Sequence, residues 1–257
     1  MKIKWYGTAS VSIETQSSKI LFDPFVPLPG SGIRISKKDY EDFSNIFLTH
    51  GHMDHLASIP GLVKGTDPSI WCTKTPAKTL LKKGVNKKRI RVLHPEDKIY
   101  IGDIEIQPIK GKHIHFDKQI VKKTLISSRM IKYGYNIPWL MHQNRVCKEK
   151  KETISYLIRA EGKSILLMGS LGIDPSTVYP IGVDLLILPF QGASDLITPS
   201  LEIIEKIKPK RIMLDHFDNT FPPISNKISL MELKKWMDID HPDIKVVKPK
   251  YKKTVHL

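Results

Sequence analysis

Apolar residues along this chain fall into short runs of three to six, many alternating with polar ones and most bounded by Gly, Pro, Asp or Ser. Period-two alternation between turn formers is the mark of half-buried strands. On that pattern strands are expected near residues 3–6, 11–15, 19–22, 46–49, 69–72, 99–101 and 104–108, then near 153–159, 164–168, 184–188, 211–214 and 244–247. Helical spacing appears at 56–63, 76–83, 199–208 and 229–237, mostly opened by a Pro or Ser suited to a first turn. Strands alternating with helices predict an α/β or α+β chain whose helices cover the outer faces of packed sheets. Two stretches break the pattern. Residues 25–32 are rich in Pro and Gly, and residues 118–151 mix Met130, Tyr133, Tyr135, Trp139 and Met141 with many cations. Both read as irregular covers over a site, the second as an apolar pocket wall or as a loop anchored to the core.

Composition narrows the classes. With 257 residues and 40% hydrophobic content the chain can bury one large core, and no linker is evident, so residues 1–257 are expected to form a single domain. No apolar stretch has the length of a signal peptide at the start or of a membrane span anywhere, and Cys72 and Cys147 are too few for a disulfide framework. A cytoplasmic protein is expected. The net charge of +15 attracts polyanions, but only seven of the 41 basic residues are Arg, the side chain suited to bidentate phosphate recognition. Solvated lysines are therefore favoured over a nucleic-acid groove, and a small, anionic substrate fits the charge equally well. Oligomeric state is not legible.

The chemistry concentrates in one segment. Thr49-His50-Gly51-His52-Met53-Asp54-His55 places three imidazoles and a carboxylate within six positions, directly after the apolar run Ile46-Phe47-Leu48. Imidazole and carboxylate are what zinc, iron or manganese take from a protein, and packing does not explain such a density. If 46–48 is a buried strand and a helix follows, the four ligands lie on the turn between them. His50 and His52, two residues apart, then reach one ion, and Asp54 and His55 at the helix start face a neighbouring position.

His-x-His-x-Asp-His after a strand resembles the hallmark of the metallo-β-lactamase superfamily, and His50, His52, Asp54 and His55 match it in full. The resemblance implies a four-layer αβ/βα sandwich. It also implies a third ligand for the first site after a later strand, where His113 follows 104–110 and competes with His115, and a last ligand near the C-terminal end, matched by His216 after Ile212-Met213-Leu214-Asp215. The opening Trp5-Tyr6-Gly7-Thr8-Ala9-Ser10 and Ile20-Leu21-Phe22-Asp23-Pro24 look like the first hairpin of the branch that includes ascorbate-phosphate lactonase, where an aspartate at the Asp23 position supports the ligands; the alternative for Asp23 is a plain turn before Pro24. The residues 216–223 resemble that branch's loop after its last histidine. One element departs. Where the superfamily has Gly-Asp-Thr with a bridging Asp, this chain reads Gly169-Ser170-Leu171, and a neutral hydroxyl is a poor ligand beside a carboxylate. A weaker second metal follows from that change. Asp174 stands nearby and reads as a helix cap before Pro175.

The implied activity is hydrolysis. One or two bound zinc ions, with manganese or iron as alternatives, would lower the pKa of a bound water to about 7 and polarise a carbonyl or phosphoryl group. An ester, lactone, thioester or phosphoester bond in a small substrate is the expected target, with Asp54 either a ligand or a general base. Phosphodiester or RNA cleavage is the second reading, and a catalytically silent metal binder the third. His94, His142, His241 and His256 sit among charged or turn residues and enter no site.

Overall fold

The structure is a computed structural model describing residues 1–114, 117, 124 and 126–257. Fourteen strands among these residues form two seven-stranded sheets. The first contains β1 (Lys2–Gly7), β2 (Ser10–Glu14), β3 (Lys19–Phe22), β4 (Asn45–Phe47), β5 (Ser69–Cys72) and β6 (Ile90–Val92), closed on its outer side by β14 (Thr254–His256), in the order β14-β1-β2-β3-β4-β5-β6. The second contains β7 (Ile99–Ile101), β8 (Ile104–Lys110), β9 (Ile154–Ala160), β10 (Lys163–Leu167), β11 (Leu185–Pro189), β12 (Arg211–Asp215) and β13 (Lys245–Val247), ordered β13-β12-β11-β10-β9-β8-β7. Each sheet is antiparallel in one half and parallel in the other, with β3 through β6 parallel in the first and β10 through β13 parallel in the second.

Side-chain alternation decides which way each strand faces. In β3 and β4, Ile20, Phe22 and Phe47 turn inward to a core shared with Ile106, Tyr156 and Ile158 of the second sheet. Their neighbours Leu21 and Ile46 turn outward, with Leu48, onto a separate cluster formed with Leu56, Ile59, Leu62, Ala77 and Leu80. These last residues belong to α1 (Met53–Leu56), α2 (Ile59–Leu62) and α3 (Lys74–Lys82). β11, Leu-Leu-Ile-Leu-Pro, is buried at every position, as expected of a parallel strand covered on both sides. It shares its cluster with Ile203, Ile204 and Ile207 of α6 (Ile197–Ile207) and with Leu233 and Met237 of α7 (Met231–Asp240). Helices, sheet, sheet and helices make the four layers that the sequence led us to expect.

Four differences have local causes. The helix expected over 56–63 starts earlier, at Met53, and breaks after Leu56, because Pro60 has no N–H for a bond to the Leu56 carbonyl and its ring crowds that carbonyl. The stretch 118–151, taken as irregular, contains α4 (Ser128–Tyr133) and α5 (Ile137–Val146), the latter with Pro138 in its first turn, where a missing N–H costs nothing. The edge strands β6 and β14 lie outside the sequence expectation; each is a three-residue strand directly after a run of cations, Lys87-Lys88-Arg89 and Lys252-Lys253, that hides its alternation. Asp174 caps a turn instead of a helix, its Oδ1 accepting the Ser176 N–H at 2.9 Å. Among the described residues no helix is long and apolar enough to cross a membrane.

Candidate metal centre

The ligand-bearing segments all leave the same edge of the two sheets. Thr49–His55 follows β4, Asp23 ends β3, His113 follows β8, Ser170 follows β10 and His216 follows β12. Four of these strands lie in, or border, the parallel halves, and the C-terminal ends of parallel strands are where open α/β sheets gather loops into a crevice. The two sheets are stitched together here: the Tyr156 hydroxyl donates to the Leu48 carbonyl at 2.7 Å, and the Ile154 N–H to the Thr49 carbonyl at 3.0 Å. Close approach needs glycine at two points. A Cβ on Gly51 would run into the Lys148 carbonyl oxygen, and one on Gly169 into that of Ile154.

Six of the expected side chains meet in two triads. His50, His52 and His113 form one, and Asp54, His55 and His216 the other, the ligand atoms within each lying within 4.8 Å of one another. In the first, His50 Nε2 is 3.1 Å from His52 Nδ1, and the His113 ring lies 4.9 and 4.5 Å, centroid to centroid, from those of His50 and His52. In the second, Asp54 Oδ2 is 3.3 Å from His216 Nε2 and 3.6 Å from His55 Nε2, while the two imidazole nitrogens are 3.5 Å apart. The His50 and His55 rings, 4.0 Å apart, join the triads. His115, the competitor for this position, lies outside the described residues; His113 is in the cluster.

What surrounds the imidazoles fixes which nitrogen each presents. Asp23, fully buried, accepts the Thr49 N–H at 2.9 Å and the Thr49 hydroxyl at 2.7 Å, and its Oδ2 is 2.8 Å from His55 Nδ1. With its single proton given to Asp23, the Thr49 oxygen can only accept from His50 Nδ1, 3.0 Å away, which leaves the His50 Nε2 lone pair facing the cluster. His113 Nδ1 donates to the Ile114 carbonyl at 2.7 Å, with the same result. His216 Nδ1 donates to Gln191 Oε1 at 3.3 Å, and the Gln191 amide is held the right way round by its own bond to the Asn226 carbonyl at 3.1 Å. Such outer partners set tautomer and ring orientation in metal sites. Sequence reasoning assigned no role to Thr49 or Gln191; Thr49 adjoins the histidine run, whereas nothing in the sequence marks Gln191.

Ser170 is buried beside the site, but its hydroxyl accepts the Ile114 N–H at 3.1 Å and so serves the backbone next to His113. The N-terminal hairpin buttresses the other flank. Ser10 Oγ donates to the Asp23 carbonyl at 2.8 Å, Asp218 accepts the Thr8 N–H at 3.1 Å, and the Thr8 carbonyl accepts the His216 N–H at 2.9 Å. Asp23, Thr8 and His216 all hold positive φ, at 43°, 49° and 62°. Backbone strain of this kind costs on the order of 1–3 kcal/mol per residue and persists where surroundings over-determine it.

Electrostatics divide the triads. Burial pulls His50 well below its ordinary range, pulls His52 down to about 4 and lowers His113, so the first triad is neutral imidazole with lone pairs free for a cation. Burial also opposes charge on His55, but the Asp23 and Asp54 carboxylates outweigh it and raise the imidazole to about 9. Burial would raise Asp54; the charges of His55 and His216 overcome it and hold the carboxyl far below the usual range. Asp215, whose Oδ1 has no hydrogen-bond partner among the described residues, is pushed up to about 7 by burial. Between the ordinary histidine value of 6.5 and about 9 the native metal-free chain keeps a proton on His55 that the unfolded chain has released. Stability therefore falls as pH rises through that window. In chelator-treated protein the urea midpoint should drop from pH 7 to 9 through this group; a midpoint flat or rising there in wild type and Asp23→Asn alike contradicts the assignment.

The donor set fits a metal: five imidazoles and one carboxylate, all with an outer nitrogen or oxygen engaged elsewhere or free to turn inward. Comparison with known proteins agrees. The family profile described as "Beta-lactamase superfamily domain" matches residues 2–214. A UPF0173 metal-dependent hydrolase of Koribacter versatilis is 24% identical over 253 residues, covering 97% of this chain and 96% of that protein. A UPF0173 protein of Pyrococcus abyssi is 32% identical over 113 residues, 44% of this chain, and the matched part spans half the length of that relative. Among solved structures, Igni18, a metallo hydrolase from the archaeon Ignicoccus hospitalis, superposes with a TM-score of 0.64 at 17% identity, covering 99% of this chain and 97% of its own. With the profile spanning most of the chain and the two-sheet sandwich matched over nearly its whole length, this chain belongs to the beta-lactamase superfamily and has the metallo-β-lactamase fold.

Proposed function

We propose that this chain is a metal-dependent hydrolase that cleaves an ester, lactone, thioester or phosphoester bond in a small, anionic substrate, with His50, His52, His113, Asp54, His55 and His216 as its metal ligands and zinc as the metal, manganese or iron being the alternatives. The observation that carries it is the convergence of those six ligand atoms, from residues 50 to 216, in two adjoining triads. Bound there, a divalent ion would supply a hydroxide at neutral pH and polarise the scissile group. The protein's own side chains do the rest. Asp54 already turns Oδ2 to the His55 and His216 nitrogens, which makes it a ligand in this reading and not a free base. Asp23 and Thr49 hold His55 and His50 in orientation, and Ser170 holds the chain at Ile114.

Residues 1–257 act as one unit in this reading, with 118–151 as the cover of the site. Its described part is tied down on two sides: Asn136 Nδ2 donates to the Pro29 and Pro222 carbonyls at 3.0 and 2.9 Å, and Arg129 to Asn219 Oδ1 at 2.8 Å and to the Ser225 carbonyl at 2.7 Å. Leu140 packs there with Phe25 and Phe221, so the Pro-rich loop 25–32 and the loop after His216 share one apolar patch with the cover. Both cysteines are free and buried, in keeping with a cytoplasmic protein.

Elemental analysis of protein purified without chelators, with a panel of lactone, thioester, phosphomonoester and phosphodiester substrates, tests the proposal. At least one metal per chain is expected, together with turnover of a small substrate that EDTA abolishes and zinc restores. Metal-free protein, or full turnover in EDTA, overturns it; turnover confined to RNA or phosphodiesters moves the substrate class to nucleic acid.

A further inference from the structure

The two triads differ in more than composition. In the Asp54–His55–His216 triad the three ligand atoms stand 3.3, 3.5 and 3.6 Å apart. A tetrahedral ion with bonds of about 2.1 Å needs ligand atoms roughly 3.4 Å from one another. All three edges already meet that requirement without side-chain movement. In the His50–His52–His113 triad the His50 and His52 nitrogens stand 3.1 Å apart, a shorter edge than any in the other group.

Charge points the same way. The only carboxylate among the two groups' ligands is Asp54, and a second, Asp23, backs His55 at 2.8 Å from its outer nitrogen. The outer nitrogens of His50 and His113 rest on neutral oxygens, the Thr49 hydroxyl and the Ile114 carbonyl. Carboxylate behind a coordinating imidazole raises its basicity; a hydroxyl or carbonyl does so less. Ser170 adds nothing to offset a second dication, since it carries no charge and its oxygen is turned to the Ile114 N–H.

We propose that the two triads are unequal and fill in order: Asp54–His55–His216 takes the first divalent cation and His50–His52–His113 takes a second one more weakly, the reverse of the weaker Asp54–His55–His216 position that Ser170 in place of a bridging Asp leads the sequence to predict. This rests on the metal-centre reading above and adds to it the identity of the tight site. Its consequence is that the chain at limiting metal holds a single ion at the carboxylate-bearing triad, with the three-histidine triad still free.

Zinc titration of chelator-stripped protein against a chromophoric competitor decides the matter without any assay of turnover. Wild type is expected to take one equivalent tightly and a second at least about tenfold more weakly. Asp54→Asn, close in shape to the native side chain, should lose the tight equivalent, and His216→Gln should do the same; His52→Ala and His113→Ala should keep it and lose the weak one. Far-ultraviolet circular dichroism of the stripped variants checks that each is folded, and His216→Gln stands in should Asp54→Asn fail. Two equivalents of equal affinity in wild type, or a tight equivalent that survives both Asp54→Asn and His216→Gln but not His113→Ala, overturns the order of filling. A wild type that takes up no zinc refutes the metal centre itself, a result distinct from either of these.

Discussion

Replacing Asp54 by Asn is expected to lower kcat/KM by at least about a thousandfold, on the order of 4 kcal/mol of transition-state stabilisation, while the protein stays folded. The substitution keeps size and removes the single negative charge among the six ligand atoms. His55 and His216, whose Nε2 atoms stand 3.6 and 3.3 Å from the carboxylate oxygen, would then face a neutral amide that can turn an N–H toward them. The effect should appear in kcat more than in KM, because the charge acts on the ion and on the reacting oxygen instead of on the remote parts of the substrate. Steady-state kinetics on whichever ester, lactone or phosphoester the wild type turns over, with unfolding midpoints measured in parallel, supply the check. A loss below tenfold at unchanged stability would remove Asp54 from the machinery.

Asp23→Ala should damage both fold and site. The carboxylate is fully buried and accepts from the Thr49 N–H, the Thr49 hydroxyl and His55 Nδ1, so truncation strands two donors and leaves an imidazole without its counter-charge. Breaking one partner out of a buried ion pair costs about 3–5 kcal/mol, and losing a carboxylate behind a coordinating histidine lowers metal affinity by about 10–100-fold. Urea unfolding of the metal-free variant reads the first quantity and zinc competition the second. Asp23→Asn, which can still accept from Thr49, should recover part of the stability but not the affinity. A variant within about 1 kcal/mol of wild type that also binds zinc normally would reduce Asp23 to the plain turn residue that its place before Pro24 also allows.

Legibility varied with how local the cause was. Strands at 19–22 and 46–49 were readable from their apolar runs, but Ile20-Leu21-Phe22 and Ile46-Phe47-Leu48 are apolar on both faces, so which face meets the second sheet and which meets the helices came only with the fold. The site was readable at the motif, since three histidines and an aspartate in six positions leave little else to do. It was less readable at Ser170. The sequence shows that a hydroxyl stands there; only the fold shows that the hydroxyl is occupied by the Ile114 N–H. Gln191 was silent altogether, because its role arises from a neighbour 25 residues away and from the Asn226 carbonyl that orients its amide. In the 118–151 stretch, cations and aromatics masked the helical spacing of α5, whose buried positions are only Leu140 and Gln143.

The His50–His55 ligand run and the strand pattern were set by the order of residues alone, because ligand chemistry and strand periodicity are carried by side chains a few positions apart; the four-layer fold and the distant ligands His113 and His216 were implied by the family resemblance. The division of the six ligands into one neutral triad and one charged triad came only with the tertiary structure. It depends on Asp23 ending β3 beside the Thr49 turn and on His216 being drawn to the Thr8 carbonyl, contacts between segments 26 to more than 200 residues apart. Which nitrogen an imidazole presents, and how much charge stands behind it, is a property of the space around the ring and so belongs to the fold.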